Sequence, residues 1–416
     1  MDCGLPSSAK RRRRTSSASP SDGKLLCVPC YRRRASSSKG FDIYLVDLNS
    51  TENPVGDSIS PTLFVDYFDV CTACVLGSTL YLFRSSDDLD GDPDCAGRST
   101  PVATVDLFKY RNMKNVELDD SMVKYIKPMR HPKRFPSASA TPGGKILVLS
   151  SHILFHPDAG VDRPNDFELY DPATDEWKQL PQLYERWDKG RKSSCLYSVT
   201  IKSFIFRWES VLVVTTENGM FELDLELCGG GWQDCLAPAC KIPRYFGYPC
   251  LSAIEGELSF SHDYVFDVDI PISVPIVPIC CQFPPMPLYS HDDYELQMAL
   301  ATVQPSGCGR EVVFCRVQTA LNKRSKRPPR MDIQVFKCDI ARYREDKQDM
   351  LKKAQKELKK KQHVQDKVGP FLQIPAPQVQ LSGRLEKSLE FVLETRRCSV
   401  FIPRELSFLS FGTDMT

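Results

Sequence analysis

Residues Gly143–Pro181 read GGKILVLSSHILFHPDAGVDRPNDFELYDPATDEWKQLP, and this stretch decides the fold. The glycine pair Gly143-Gly144 opens a short apolar run, Ile146–Leu149, whose β-branched content and glycine boundary predict a strand. A long polar loop follows, then a second strand at Phe167–Tyr170. Asp171-Pro172-Ala173-Thr174-Asp175 is turn chemistry: the proline presets φ and the aspartate can fold back on its own backbone. Trp177 and Leu180-Pro181 close the unit.

Outward from this unit the same theme recurs from Gly23 to about Cys338. Six stretches alternate aromatic or aliphatic residues and often end in Asp: Ile43–Asp47, Val105–Lys109, Phe167–Asp171, Phe221–Leu225, Tyr264–Val268 and Ile333–Lys337. They read as the outer strands of six units. Shorter strands precede most of them, at Gly77–Phe83, Lys145–Leu149, Val211–Thr215, Gly256–Phe260 and Glu311–Arg316. Strand pairs repeating every few tens of residues predict the radial blades of a β-propeller, about six to seven of them, ahead of a sandwich. Two separate β-domains remain the alternative, because only the third unit carries the full glycine, tyrosine and tryptophan pattern. In the fourth unit Trp232 follows Phe221–Leu225, with Gly229-Gly230-Gly231 in the turn.

Gly143, Gly144, Tyr170 and Trp177 at this spacing resemble one kelch repeat, the four-stranded blade of a propeller. In such a blade the glycine pair permits close backbone packing, or φ values that a Cβ forbids. Tyr170 and Trp177 would fill the space between adjacent radial sheets while their polar tips reach backbone partners. The string Tyr170–Trp177 also resembles the large plant group of kelch-type proteins related to F-box/kelch proteins. The resemblance spans about residues 35–340 and is strong over 143–181. It implies a propeller that recruits a target, joined in that group to a ubiquitin-ligase scaffold by an N-terminal F-box. Residues 1–40 are too short and too polar for a three-helix F-box, so only partner binding carries over.

The chain has 416 residues, enough for one large domain or several small ones. Its 54 Lys and Arg against 53 Asp and Glu leave a formal net charge of +1, which predicts no general attraction to nucleic acid or membrane. No apolar run of about 18 residues suggests a transmembrane helix. The N-terminus lacks the apolar region of a secretory signal, although its Arg and Ser content leaves a transit peptide open. Residues 1–22 read as a disordered Ser/Arg-rich tail. Within it Lys10, Arg11, Arg12, Arg13 and Arg14 form a cluster of the nuclear-import kind, or a solvated charge run; a cytoplasmic or nuclear location is expected. The propeller is assigned to 23–403 and a C-terminal tail to 404–416. Residues 340–367 read as an inserted basic helix with a thin stripe of Ile340, Tyr343, Met350, Leu351, Ala354 and Leu358. Asn322–Arg330 is a basic loop. The last strand-like runs, Leu389–Glu394 and Cys398–Ile402, are expected to close the ring with N-terminal strands.

Chemistry is sparsely marked. Cys27/Cys30 and Cys71/Cys74 are CxxC pairs that could bind zinc or cycle redox, but alternation along a strand would point Cys71 and Cys74 to opposite faces. Most of the 17 cysteines read as small buried hydrophobes. His152 and His156 have helical zinc spacing in a segment that reads as loop. Asp87–Asp92 has alternating acids like a calcium loop without its closing Glu, and reads as solvated. No GxSxG or phosphate-cradling GxxxxGK[ST] occurs. The expectation is a non-catalytic module with no catalytic residue, cofactor or metal, binding a protein partner through the loop face of the propeller. The basic stretches lack interleaved aromatics, so neither nucleic acid nor membrane is expected as a partner. The alternatives are a metal-dependent oxidase on the same fold and a nuclear nucleic-acid-associated factor using the basic helix.

Overall fold

Ile146, Leu147, Val148 and Leu149 are all fully buried, although neighbours along a strand point to opposite faces. A strand buried on both faces needs a sheet on each side of it. In the computed structural model of the chain, residues 25–33, 39–49, 55–66, 70–84, 100–155, 165–183, 197–207, 210–216, 219–227, 230–234, 252–254, 258–260, 264–267, 279–282, 294–305, 310–322, 328–365, 381, 383–395, 400–403 and 406–409 are described. Their strands form six sheets.

The first sheet runs Val400–Pro403, Leu25–Arg33, Lys39–Asp47, Leu63–Val65 and Val116–Glu117. The second is Val70–Leu76, Thr79–Arg84, Thr100–Asp106 and Lys124–Met129; the third is Pro136–Ala140, Ile146–Ser150, Phe167–Asp171 and Glu176–Gln179. The fourth adds His152–Phe155 to the edge of Tyr197–Arg207, Val211–Thr216, Met220–Asp224 and Gln233–Asp234. The fifth is Ser252–Ile254, Leu258–Phe260, Tyr264–Asp267 and Ile279–Gln282. The sixth is Tyr294–Pro305, Glu311–Asn322, Arg330–Asp339 and Gly383–Leu393, with Val55–Ile59 added in parallel.

First strands lie beside first strands: Val70–Leu76 against Pro136–Ala140, Tyr197–Arg207 against Ser252–Ile254, and Tyr294–Pro305 against Val400–Pro403. Cores form between sheets. Ile146 and Val148 pack with Tyr170 and Trp177 against Cys74, Tyr81, Phe83 and Val102 of the second sheet. Leu147 and Leu149 pack instead toward Phe204, Leu212 and Trp232 of the fourth. The same sideways packing joins the sixth sheet to the first and the first to the second. The fold is a β-propeller, and two independent sandwiches do not describe it.

Ring closure uses both ends of the chain. Leu25–Arg33 pairs antiparallel with Val400–Pro403 on one side and Lys39–Asp47 on the other. Ser407–Phe408 also pairs with Leu25–Arg33, and Leu406 and Leu409 are buried. The expected tail 404–416 therefore contributes to the fold at 406–409, because two leucines there find a core. The two final strand-like runs separate: Gly383–Leu393 is the outer strand of the sixth sheet, and only Val400–Pro403 enters the first.

The strands expected to be outermost are third in their sheets, with a further strand outside them. That outer strand was missed because one exposed edge dilutes its apolar pattern: in Glu176–Gln179 only Trp177 is buried. Val105–Lys109 is not wholly strand, since Leu107–Tyr110 forms a short helix, α1, capped by Asp106. The recurring Asp has one local role. Asp47, Asp106, Asp171 and Asp224 each accept a hydrogen bond from the backbone amide two residues on, at 2.8–3.0 Å, turning the chain at the end of a third strand. Asp339 accepts from the Arg342 amide at 3.0 Å and starts helix α2, Ile340–Gln365. The α2 helix buries Ile340, Tyr343 and Lys347, while Lys352, Lys353 and Lys356 are exposed.

Glycine requirements are narrower than the sequence suggested. Gly144 sits at φ +73° in the turn between the first two strands of the third sheet, whereas a Cβ on Gly143 would meet only Thr141 Oγ1, at 3.9 Å. Gly40 is the close approach, since a Cβ there would lie 2.6 Å from the Val65 carbonyl. Deleting residues 400–416 is expected to lower the thermal midpoint and open the 25–47 hairpin to trypsin, because Leu25–Arg33 becomes an unpaired edge; an unchanged midpoint and cleavage pattern would show that the ring does not need its closing strand.

Candidate functional site

In an antiparallel four-stranded unit, the connection between second and third strands and the connection to the next sheet leave from the same end. The described residues at that end are held by two buried ion-pair networks. In the third sheet Glu168 and Lys133 are both fully buried, with Nζ 2.5 Å from Oε1. Lys133 also donates to the carbonyls of His131 at 3.0 Å and Asn165 at 2.8 Å. Glu168 accepts the backbone amides of Arg130 at 3.1 Å and His131 at 3.0 Å. Burial lowers the Lys133 pKa against the pull of Glu168. A buried pair of this kind is tolerated only when its remaining donors and acceptors are satisfied, and here backbone groups satisfy them.

The connection 130–135 is fixed from below by this network. Ser150 Oγ accepts the Arg134 amide at 3.2 Å, and the Ser151 amide donates to the carbonyls of Arg134 at 3.1 Å and Phe135 at 3.2 Å. Phe135 is forced to φ +45°, a region that bulky residues avoid, at a cost of about 1–3 kcal/mol. Its ring is nevertheless 51% exposed. It meets His152 edge-on at 6.4 Å between centroids, immediately before the first strand of the third sheet. His152 Nδ1 lies 3.3 Å from Thr200 Oγ1, and His131 Nε2 lies 2.6 Å from Gln179 Nε2. Desolvation lowers the His131 pKa, so the ring is neutral at pH 7 and accepts from the Gln179 amide. Asp166, partly buried beside Lys133 and Arg134 and hydrogen-bonded to Ser150, is raised to about 6 by desolvation.

The second network lies at the same end of the first sheet. Arg32, fully buried, donates to Asp42 at 2.8 Å and to Asp66 at 2.5 Å, and Thr395 donates to the other Asp42 oxygen. Arg32 Nη1 has no hydrogen-bond partner among the described residues. A cleft of about 390 Å³ nearby is lined by Ser58, Phe64, Asn115, Val392, Glu394 and Thr395 among others. The Glu394 carboxylate accepts from Ser58 at 2.8 Å and from Ser60, and these bonds hold its pKa below the ordinary carboxylate value.

The residues singled out from sequence are distributed differently. Tyr170 and Trp177 stack at 4.9 Å between the second and third sheets; Trp177 Nε1 donates to the Lys127 carbonyl at 2.7 Å and Tyr170 Oη to Asp175 at 2.8 Å. Trp232 repeats the device one sheet on, donating to the Pro181 carbonyl at 2.8 Å. Cys27 and Cys30 are buried on opposite faces of one strand, toward the second and sixth sheets respectively. His152 begins a strand, contrary to the loop expected, because the connection it occupies supplies the edge of the fourth sheet. Lys10–Arg14, Asp87–Asp92, His156 and residues 323–327 of the basic loop lie outside the described residues. No group of three or more His, Cys, Asp or Glu among the described residues is placed to hold a metal. Lys133, Phe135 and Asp166 were not found from sequence. Glu168 left a faint signal, as the one charge inside the apolar string Phe167–Tyr170.

Residues 133–183 match the Kelch motif, a span that begins at the buried Lys133 and ends past Trp177. The chain is thus a β-propeller in which one sheet carries a Kelch motif. A comparison with curated proteins gave no match. Among solved structures, a fungal alcohol oxidase of the AA5 family in complex with copper is similar at 11% identity, covering 77% of this chain and 68% of that one, with a TM-score of 0.36. The AfRom2 CNH domain is similar at 11% identity over 70% of this chain and 90% of that one, with a TM-score of 0.29. The extracellular domain of a hybrid two-component system from B. thetaiotaomicron shares 9% identity over 88% of this chain and 50% of that one, with a TM-score of 0.24. Likenesses this distant carry no argument about activity.

Two outcomes follow from the third-sheet network. Glu168→Ala leaves the Lys133 ammonium buried and uncompensated, and is expected to destabilise the fold by about 3–5 kcal/mol in denaturant titration. Lys133→Met with Glu168→Gln should recover much of that loss; equal losses in the single and double variants would mean that the pair is not the coupling unit. Asp166 binds its proton more tightly folded than unfolded, so the wild type loses stability as pH rises from about 4 to about 6. Thermal midpoints of Asp166→Asn and wild type should coincide below about pH 4, with the variant more stable at pH 7.5 by on the order of 1 kcal/mol.

Proposed function

We propose that this chain is a non-catalytic kelch-type propeller that recruits a protein partner through the loop end of its sheets, with Phe135 as an anchor. The observation that carries the reading is the exposed Phe135 ring at φ +45°, on a connection whose backbone is held by Lys133, Glu168, Ser150 and Ser151. Backbone strain at an exposed aromatic persists only where the surroundings over-determine it, and such positions concentrate at binding sites. An aromatic presented in a fixed geometry loses little conformational freedom on association, which is how interface anchors gain affinity. We read the six sheets as six blades, with residues 23–409 as the propeller and 1–22 as a separate basic tail. Lys10–Arg14 would then direct the module to the nucleus. We further place the chain beside the target-recruiting half of plant F-box/kelch proteins, on the strength of the Tyr170–Trp177 string.

Affinity capture with the full chain, quantified against variants, tests this. Phe135→Ala should weaken capture of specific partners about tenfold or more, the loss expected of an anchor residue. Phe108→Ala, on an exposed ring of α1 at the opposite end, should leave it unchanged. Equal capture by wild type and Phe135→Ala, or stoichiometric copper or zinc in the purified protein, would overturn the reading.

A further inference from the structure

The connection from Lys39–Asp47 to Leu63–Val65 leaves its own sheet and lies on the neighbouring one. Within it Val55–Ile59 pairs in parallel with the outer strand of the sixth sheet, through four register pairs with a shift between Glu390 and Phe391. The strand ends that sheet, so among the described residues it is held from one side only. Just beyond it the chain is fixed again: the Thr62 amide donates to the Ile43 carbonyl and the Asn115 amide to the Pro61 carbonyl, both at 2.7 Å. The result is a strap across the seam at which the ring closes. A short pairing at a sheet edge is among the first parts of a fold to open. Here it is reinforced at one residue. The Glu394 amide donates to the Ile59 carbonyl at 2.9 Å, and the Glu394 carboxylate accepts from the hydroxyls of Ser60 and Ser58. Ser58 is exposed, whereas Ser60 is partly buried and precedes the buried Pro61.

An ionised carboxylate can only accept, and a serine hydroxyl has one proton to give. Esterifying Ser58 with phosphate removes that proton and sets about −1.5 to −2 charges beside the carboxylate, so one modification turns an attraction into a repulsion. We propose that Ser58 is a phosphorylation site whose modification releases the strap. In the transfer the Ser58 Oγ–P bond forms as the bond between the γ-phosphorus of a nucleoside triphosphate and its bridging oxygen breaks. The nucleoside diphosphate leaves and the hydroxyl proton passes to the base of the kinase. Release bares the backbone edge of Glu390–Leu393 and removes one wall of the cleft of about 390 Å³ that Ser58 lines. The ring itself stays closed, because Val400–Pro403 and Ser407–Phe408 hold Leu25–Arg33 independently of the strap.

The test incubates the full chain with cell extract and ATP, maps phosphate by mass spectrometry, and follows hydrogen exchange of residues 55–59 and 390–394. Phosphate on Ser58 is expected, with both segments exchanging about tenfold faster in the phosphorylated chain and Leu25–Arg33 unchanged. Ser58→Glu should reproduce much of that acceleration. Ser58→Ala, which loses the bond without adding charge, should accelerate exchange only about two- to threefold. Adding Glu394→Gln to Ser58→Glu should bring exchange back to the Ser58→Ala level, because the repulsion needs both charges. Absence of phosphate from Ser58 would overturn the site. Equal exchange in Ser58→Glu and Ser58→Ala, or unchanged exchange in the phosphorylated chain, would overturn release by charge.

Discussion

The constraint on which this structure depends is that every radial sheet must be covered on both faces, so the row of sheets is stable only as a closed ring. A linear row would leave one apolar face bare at each end. The chain meets this by pairing Val400–Pro403 with Leu25–Arg33, which lets Leu26, Val28 and Cys30 pack against Val313, Cys315 and Val317 of the sixth sheet. The opposite face of the same strand places Cys27 against the second sheet. Closure by chain ends distant in sequence makes the pairing highly non-local, and the loop-closure entropy is offset only when the whole ring forms. The extra pairing of Ser407–Phe408 and the burial of Leu409 strengthen the joint where a propeller is weakest.

Two-face burial also explains what could be read from the sequence. A strand covered on both sides appears as an unbroken apolar run, and Ile146–Leu149 announces itself that way. Asp at the end of a third strand and Trp in the strand outside it are local signals too, because each acts within a few residues or through one hydrogen bond to the neighbouring sheet. The strands that escaped notice are those with one exposed edge, such as Glu176–Gln179, or those donated across sheets. His152–Phe155 belongs by sequence to the connection of the third sheet and by pairing to the fourth. Nothing in its composition reports that exchange.

The rim around Phe135 was illegible for a different reason. Lys133 and Glu168 are 35 residues apart and meet only after the third sheet forms. Glu168 looks like the polar member of an alternating strand, pointing to water, yet it is fully buried. The sixth sheet hides the same kind of feature: Arg316, Gln318, Asp332 and Gln334 are all buried, with Arg316 on Gln334 at 3.0 Å and Gln318 on Asp332 at 2.9 Å. Polar residues read from sequence as an outer face can be an inner one when a neighbouring sheet stands opposite, and only the partner's position distinguishes the two.

That distinction bears on where binding chemistry can reside in this fold. The large aromatics marked by the repeat, Tyr170, Trp177 and Trp232, are locked between sheets and cannot leave them without opening the ring. Buried ion pairs anchor the backbone at the loop end, so the strain at Phe135 does not relax there. The outcome is a ring with two groups of residues kept apart: the first is fixed by the packing of neighbouring sheets, and the second, Phe135 and the connection that carries it, is held strained and exposed at the loop end. Sequence patterns record the first group because packing repeats from sheet to sheet. They do not record the second, because its strain is held by hydrogen bonds of the 130–135 connection and not by the repeated packing.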